Sequence, residues 1–233
     1  MRIALMVIRC ILGVPFYLIK LAYMGKHNWS LERSYNYLRK LCKMANRKGR
    51  VIIEAHGVEN IPEKDGFVFF PNHQGLYDVL AFIDSSPRPF AFVAKAEVSN
   101  IILLKQVMGS LHSLSIDRRD LRKSVKVIDE MVERVSNGEN FLIFAEGTRS
   151  KKGNQMNDMK GGSFKSAIKA KAPIVPCAIV DSFVPFDKNS IKKVTVKVFY
   201  LEPLYYEDYK DMSSLEIAAL VKERIQAVLN ANS

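Results

Sequence analysis

The spacing of apolar positions changes near residue 50. Over residues 3–24 they are nearly continuous, and Arg9 and Lys20 are the only charges. At 100° per residue Arg2, Arg9 and Lys20 fall within about 20° of one line on a helix. Ile, Leu, Val, Phe, Tyr and Met fill most of the remaining circumference. The longest uncharged run, residues 10–19, is well short of the roughly 20 that a spanning helix needs. No small-x-small site follows it, so a signal peptide is not expected. Pro15 is expected to kink this helix. Ser30 suits the N-cap of a second helix. There Leu31, Tyr35, Leu38, Leu41, Cys42 and Ala45 share one face, and Arg33, Arg39, Lys40, Lys43 and Arg47 take much of the other.

From residue 51 short apolar runs alternate with longer amphipathic ones. Strands are predicted over 51–53, 67–70, 89–93, 113–116, 141–144, 174–180 and 194–200. Helices are predicted over 78–83, 100–108, 120–136, 162–171 and 213–230. Strands that alternate with helices imply an α/β fold with a largely parallel mixed sheet flanked by helices. The expected organisation is therefore an N-terminal amphipathic basic two-helix element, residues 1–49, followed by one α/β domain, residues 50–233.

Charge sharpens that division. The chain carries 35 Lys/Arg and 24 Asp/Glu, yet residues 1–50 hold eleven of the bases against the single acid Glu32. Whatever anionic surface the protein meets, this segment is placed to meet it. Two readings stand: helices lying in a membrane interface, or helices packed on the domain with their basic faces in solvent. The apolar girth of the first helix favours the membrane, with Arg2, Arg9, Lys20, Trp29, Arg39 and Lys43 as contacts. Three cysteines far apart, with no C-x-x-C, argue against a disulfide scaffold or structural zinc, and no metal site is expected.

Two loops carry candidate chemistry. The first follows the run Phe67–Phe70 and holds Asn72, His73, Gly75 and Asp78. A histidine there sits at the carboxyl end of a strand, where open α/β sheets hold ligands. Asp78, in the first turn of the next helix, can reach back to one imidazole nitrogen and leave the other free as a base. The same spacing recurs at His112 and Asp117, but a strand through 113–116 sends those two side chains to opposite faces. The second loop is Glu146-Gly147-Thr148-Arg149-Ser150, where backbone amides and a guanidinium suit a phosphate. Arg118, at another strand end, can join Arg149. The chain has no G-x-S-x-G, Walker A or G-x-G-x-x-G motif, which removes the usual support for a serine hydrolase, an NTPase or a dinucleotide enzyme.

Over roughly residues 50–200 the chain resembles the 1-acylglycerol-3-phosphate acyltransferase (lysophosphatidic acid acyltransferase) family. The resemblance rests on Asn72-His73-x4-Asp78, on Lys95-x-Glu97 through Ile116-Asp117-Arg118, on Phe144-x-Glu146-Gly147-Thr148-Arg149-Ser150 and on Val175-Pro176-x-Ala178-Ile179, with Lys160-x-Gly162 between the last two. It departs from the family at Ala145, where proline is usual, and at Ile102, Lys105 and His112. The resemblance implies transfer of an acyl group from acyl-CoA or acyl carrier protein to the sn-2 hydroxyl of lysophosphatidic acid, giving phosphatidic acid. His73 would be the general base and Asp78 its orienting partner. Arg149, Arg118, Gly147, Thr148 and Lys105 would bind the phosphate, with Glu146, Lys95 and Lys160 supporting. Neither a cofactor nor a nucleic acid is expected, and location is expected at the cytoplasmic face of a membrane, with anionic lipids as partners. Glycerol 3-phosphate or another lysolipid remains an alternative acceptor. So does a non-enzymatic basic protein that binds lipid or nucleic acid.

Overall fold

The computed structural model describes residues 2–10, 13–97, 101–117 and 119–232. Three helices come first: α1 (Arg2–Cys10), α2 (Val14–Lys26) and α3 (Leu31–Gly49). Pro15 lies in the first turn of α2, where its missing N–H costs nothing, rather than inside a helix that it would kink. Ser30 caps α3, its hydroxyl accepting from Arg33 N at 3.4 Å. Strands and helices then alternate: β1 (Val51–His56), β2 (Val68–Pro71), α4 (Asp78–Ser85), β3 (Ala91–Lys95), α5 (Ile102–Ser110), β4 (Leu114–Ile116), α6 (Leu121–Ser136), β5 (Phe141–Leu142), α7 (Lys165–Ala170), β6 (Ile174–Val180), α8 (Val184–Asp187), β7 (Val194–Tyr200), α9 (Tyr206–Tyr209) and α10 (Ser214–Asn232).

Among the described residues seven strands form one sheet in the order β1-β7-β6-β2-β5-β3-β4. β6, β2, β5, β3 and β4 run parallel. β7 is antiparallel to β6 and parallel to β1, so the sheet is mixed at one side. The carboxyl ends of five neighbouring strands therefore share one edge, and both candidate loops leave from it.

β2 is buried on both faces, as its unbroken apolar run requires. Phe67 and Phe69 point to a layer that contains Tyr35, Leu38, Phe82, Phe90 and Tyr200. Val68 and Phe70 point to the other, with Met131, Val135, Phe164, Val221 and Ile225. Phe69 is fully buried and packs edge-on against Phe90 at 5.7 Å. Its truncation to alanine would cost about 3–5 kcal/mol. This packing fixes the strand whose end carries His73.

The N-terminal helices belong to the first of these layers, and Arg2 does not face outward as expected. Arg2 is 1% exposed. Its guanidinium donates to the carbonyls of Gly49 and Lys192, each at 2.7 Å. Arg9 donates to Lys48 O at 2.9 Å. The physical reason is the C-terminus of α3, whose last carbonyls lack helical partners and attract cations. Arg39 donates to Asp84 O at 3.0 Å. Lys20 sits over the Tyr37 ring, while Lys43 is exposed. Apolar side chains are turned outward beside the exposed cations Arg9, Arg33, Lys40 and Lys43: Ile3, Ile8, Phe16, Ile19 and Tyr23 are all about half exposed or more. No helix among the described residues is long and apolar enough to cross a membrane.

Candidate active site

β2 ends at Pro71, and Asn72 pins the turn that follows. Its amide donates to Ile179 O at 3.0 Å and its carbonyl accepts from Ile179 N at 2.7 Å. His73 comes next. Its Nδ1 lies 2.7 Å from Asp78 Oδ2. A carboxylate only accepts, so Nδ1 carries the proton and Nε2 is left with its lone pair. The ring stacks on Phe144, centroids 4.0 Å apart, which sets its plane.

Asp78 is fully buried. It also accepts from Gln74 N (2.7 Å), Gly75 N (3.0 Å) and the hydroxyl of Ser182 (2.6 Å). Its place in the first turn of α4 adds the favourable end of the helix dipole. Space at Gly75 is tight: a Cβ there would sit 3.3 Å from Phe183 Cα. Behind this group, Gln74 accepts from Ser182 N at 3.0 Å and donates to Asn154 at 2.8 Å. Asn154 in turn donates to Asp181 at 3.0 Å.

The second loop joins the first through backbone bonds. Glu146 accepts from His73 N at 2.6 Å and from Asn157 N at 2.7 Å. Ser150 N donates to His73 O at 2.8 Å. Burial raises the Glu146 carboxyl above its usual value, against the opposing pull of the Asn157 and His73 N–H groups. Gly147 closes the turn with φ +80° and donates to Phe144 O at 3.1 Å, a conformation that favours glycine. Arg149 is half-buried, and its guanidinium has no hydrogen bond or ion pair among the described residues.

The structure thus brings together His73, Asp78, Glu146 and the Gly147–Ser150 turn. Thr148 is exposed at the rim of that turn. Lys160 is exposed, and its backbone N–H donates to Ala145 O at 2.9 Å, just before Glu146. Lys95 pairs with Glu97 at 3.1 Å on the surface, and Lys105 is exposed on α5. Arg118 lies outside the described residues. Ser182, Gln74, Phe144 and Asn154 were not expected. Ser182 lies two residues beyond the carboxyl end of β6, so the strand-end rule that found His73 could have found it. Asn154 sits in a polar loop that gives no such signal.

The model of the Acyltransferase family matches residues 52–180, the stretch that holds His73, Asp78 and the Gly147–Ser150 turn. The chain belongs to the acyltransferase family. This acyltransferase is 26% identical over 197 residues to a 1-acyl-sn-glycerol-3-phosphate acyltransferase of Borreliella burgdorferi, covering 84% of this chain and 76% of the relative. It is 26% identical to the chloroplastic 1-acyl-sn-glycerol-3-phosphate acyltransferase BAT2 of Brassica napus, covering 86% of this chain but 57% of the longer plant protein. In fold the acyltransferase is similar to the crystal structure of the 1-acyl-sn-glycerophosphate (LPA) acyltransferase PlsC from Thermotoga maritima. The TM-score is 0.77 at 22% identity, over 99% of this chain and 97% of that one.

Proposed function

We propose that this acyltransferase moves a fatty acyl group from an acyl thioester, on CoA or acyl carrier protein, to the sn-2 hydroxyl of 1-acylglycerol 3-phosphate. The product is phosphatidic acid. The observation that carries the reading is the His73–Asp78 bond, which leaves Nε2 as the free basic nitrogen beside a turn with an unpaired arginine. His73 Nε2 takes the hydroxyl proton as that oxygen attacks the thioester carbonyl. Asp78 stabilises the imidazolium that forms. Collapse of the tetrahedral intermediate expels the thiolate, which takes the proton back. The hydroxyl attacks directly, so no acyl-enzyme is required. Base catalysis of this kind contributes about 10²–10⁴-fold. Arg149 and the backbone and hydroxyl donors of Thr148 hold the acceptor phosphate on the turn that Gly147 closes, and Arg118 is proposed beside them from the sequence resemblance.

The acceptor is a lipid, and the apolar outer face of α1 and α2 suits shallow seating in one leaflet on the cytoplasmic side. The similarly named relatives support the choice of acceptor. The test is a substrate panel: lysophosphatidic acid, glycerol 3-phosphate and a lysolipid without a free phosphate, each with acyl-CoA and acyl carrier protein donors. Diacyl product from lysophosphatidic acid, lost by about 10²-fold or more in His73→Ala, is expected. Near-parental turnover by His73→Ala would remove the base, and preference for another acceptor would replace the substrate.

A further inference from the structure

An open cleft of ≈ 440 Å³ lies between α2 and the first half of α3, far in sequence from the catalytic loops. Lys20, Trp29, Arg33, Tyr37 and Lys40 line it, with Glu32 as its one acid. Two of its cations are held by aromatic faces rather than by carboxylates. Lys20 Nζ stands 4.3 Å from the Tyr37 ring centre, and the Arg33 guanidinium 3.8 Å from that of Trp29. Such contacts fix a cation in place and leave its N–H donors unspent. Among the described residues none of Lys20, Arg33 and Lys40 has an acidic partner. The cleft therefore combines three cations with one acid.

What adjoins the cleft decides the ligand. Tyr23 meets Trp29 edge-on, ring centres 6.4 Å apart. Tyr23 belongs to the bare apolar face of α2 with Phe16 and Ile19, which are 52%, 61% and 69% exposed respectively. Lys20 follows Ile19 directly on the same helix. A ligand that fills both regions has an anionic group for the cleft and hydrocarbon for the α2 face. A free phosphate satisfies only the first.

We infer that this cleft binds the phosphate headgroup of an intact anionic phospholipid from the bilayer on which the enzyme sits. The inference rests on the membrane-seating reading above and adds a fixed headgroup site to it. It differs from diffuse attraction, in which each Lys or Arg near an anionic surface contributes alike wherever it stands. In the cleft, position matters as well as charge.

Co-sedimentation of the full chain with vesicles separates the cases. The vesicles are phosphatidylcholine alone or phosphatidylcholine mixed with phosphatidylglycerol. Arg33→Ala/Lys40→Ala removes two exposed cleft cations. Arg47→Ala/Lys48→Ala removes two exposed cations from the far end of the same helix. The parent is expected to prefer mixed vesicles. The cleft variant should lose about tenfold or more of that preference and the charge-matched variant much less, with inorganic phosphate at matched ionic strength displacing neither. Equal losses in the two variants would overturn the site in favour of diffuse attraction. Displacement by inorganic phosphate would overturn it in favour of a soluble anion. Binding to neither vesicle would reject the seating itself, whereas equal binding to both would reject only the cleft.

Discussion

Replacing Asp78 by asparagine separates a catalytic carboxylate from a structural one. The side chain is fully buried and accepts from four groups: His73 Nδ1, Gln74 N, Gly75 N and the Ser182 hydroxyl, at 2.6–3.0 Å. An asparagine amide is accommodated with its oxygen toward His73 and Gln74 and its NH₂ toward Ser182. The Ser182 hydroxyl can then turn to Gln74 Oε1, 2.9 Å away, and accept from the new amide. Gly75 N keeps the remaining oxygen, 3.1 Å from it in the parent. Three donors then keep an acceptor but lose its charge, at about 1 kcal/mol each, or ~3 kcal/mol in all. For a chain of this size that lowers the melting temperature by roughly 6–12 °C. Catalysis should suffer more. His73 keeps its tautomer, but the imidazolium formed during proton transfer no longer faces an anion. The expected loss in kcat/KM is about 10²-fold or more. Initial rates of diacyl product formation and thermal melts on the same protein check both numbers. A kcat/KM within about threefold of the parent, together with the melting shift, would show that Asp78 only builds the loop and that the base argument is wrong.

Ser182→Ala removes one charge-assisted bond to Asp78 and should cost about 1.5–3 kcal/mol of stability, read by urea denaturation. As a positioning residue it should also lower kcat about tenfold with KM little changed, whereas a purely structural serine would leave kcat alone. Arg149→Ala should reduce kcat/KM about 10–100-fold for a phosphate-bearing acceptor and far less for monoacylglycerol, which compares the two acceptors directly. Glu146→Gln tests the raised carboxyl. A folded pKa above the unfolded value of about 4.3 contributes stability that is complete below that value and lost as pH rises through the folded one. The stability of the parent relative to Glu146→Gln should therefore fall from about pH 4 upward, followed by denaturation at several pH values. A difference that stays constant or grows with pH would contradict the assignment.

The sequence made the doubly buried strands readable, because Phe67–Phe70 and Ile174–Val180 are apolar throughout and end at polar loops. It made His73 and Asp78 readable because the loop joining strand to helix is only a few residues long. The reversal of β1 and β7 was not readable, since apolar alternation carries no direction. Arg2 was misplaced for a related reason: a helical wheel shows which residues share a line but not what that line faces. Here it faces the carbonyls of Gly49 and Lys192, contributed by distant parts of the chain. The second His-x4-Asp was rightly set aside, though its geometry is not the expected one. His112 stands before β4 with φ +50°, and Asp117 turns to accept from Arg119 N at 3.0 Å. Ser182 and Asn154 reach the site across more than a hundred and about eighty residues of chain respectively, contacts that no local pattern encodes.

Two buried carboxylates in this site serve different ends, and their donors say which. Asp78 is held by four donors, one of them the His73 ring, so under the proposed mechanism its charge stands where the imidazolium would form. Glu146 accepts, among the described residues, from two backbone N–H groups, those of His73 and Asn157. What it does is span two loops. One of its oxygens fixes the backbone of the base, and the other fixes the far side of the segment that carries Arg149. The bond from Ser150 N to His73 O closes the same link from the opposite direction. A displacement of the Gly147–Ser150 turn must therefore stretch bonds to His73. Under the proposed mechanism this links phosphate binding to hydroxyl activation, so that acceptor binding energy would hold the hydroxyl at Nε2 rather than merely retain the lipid. Loss of Glu146 should accordingly appear in kcat as well as KM, although it touches neither the phosphate nor the reacting atoms.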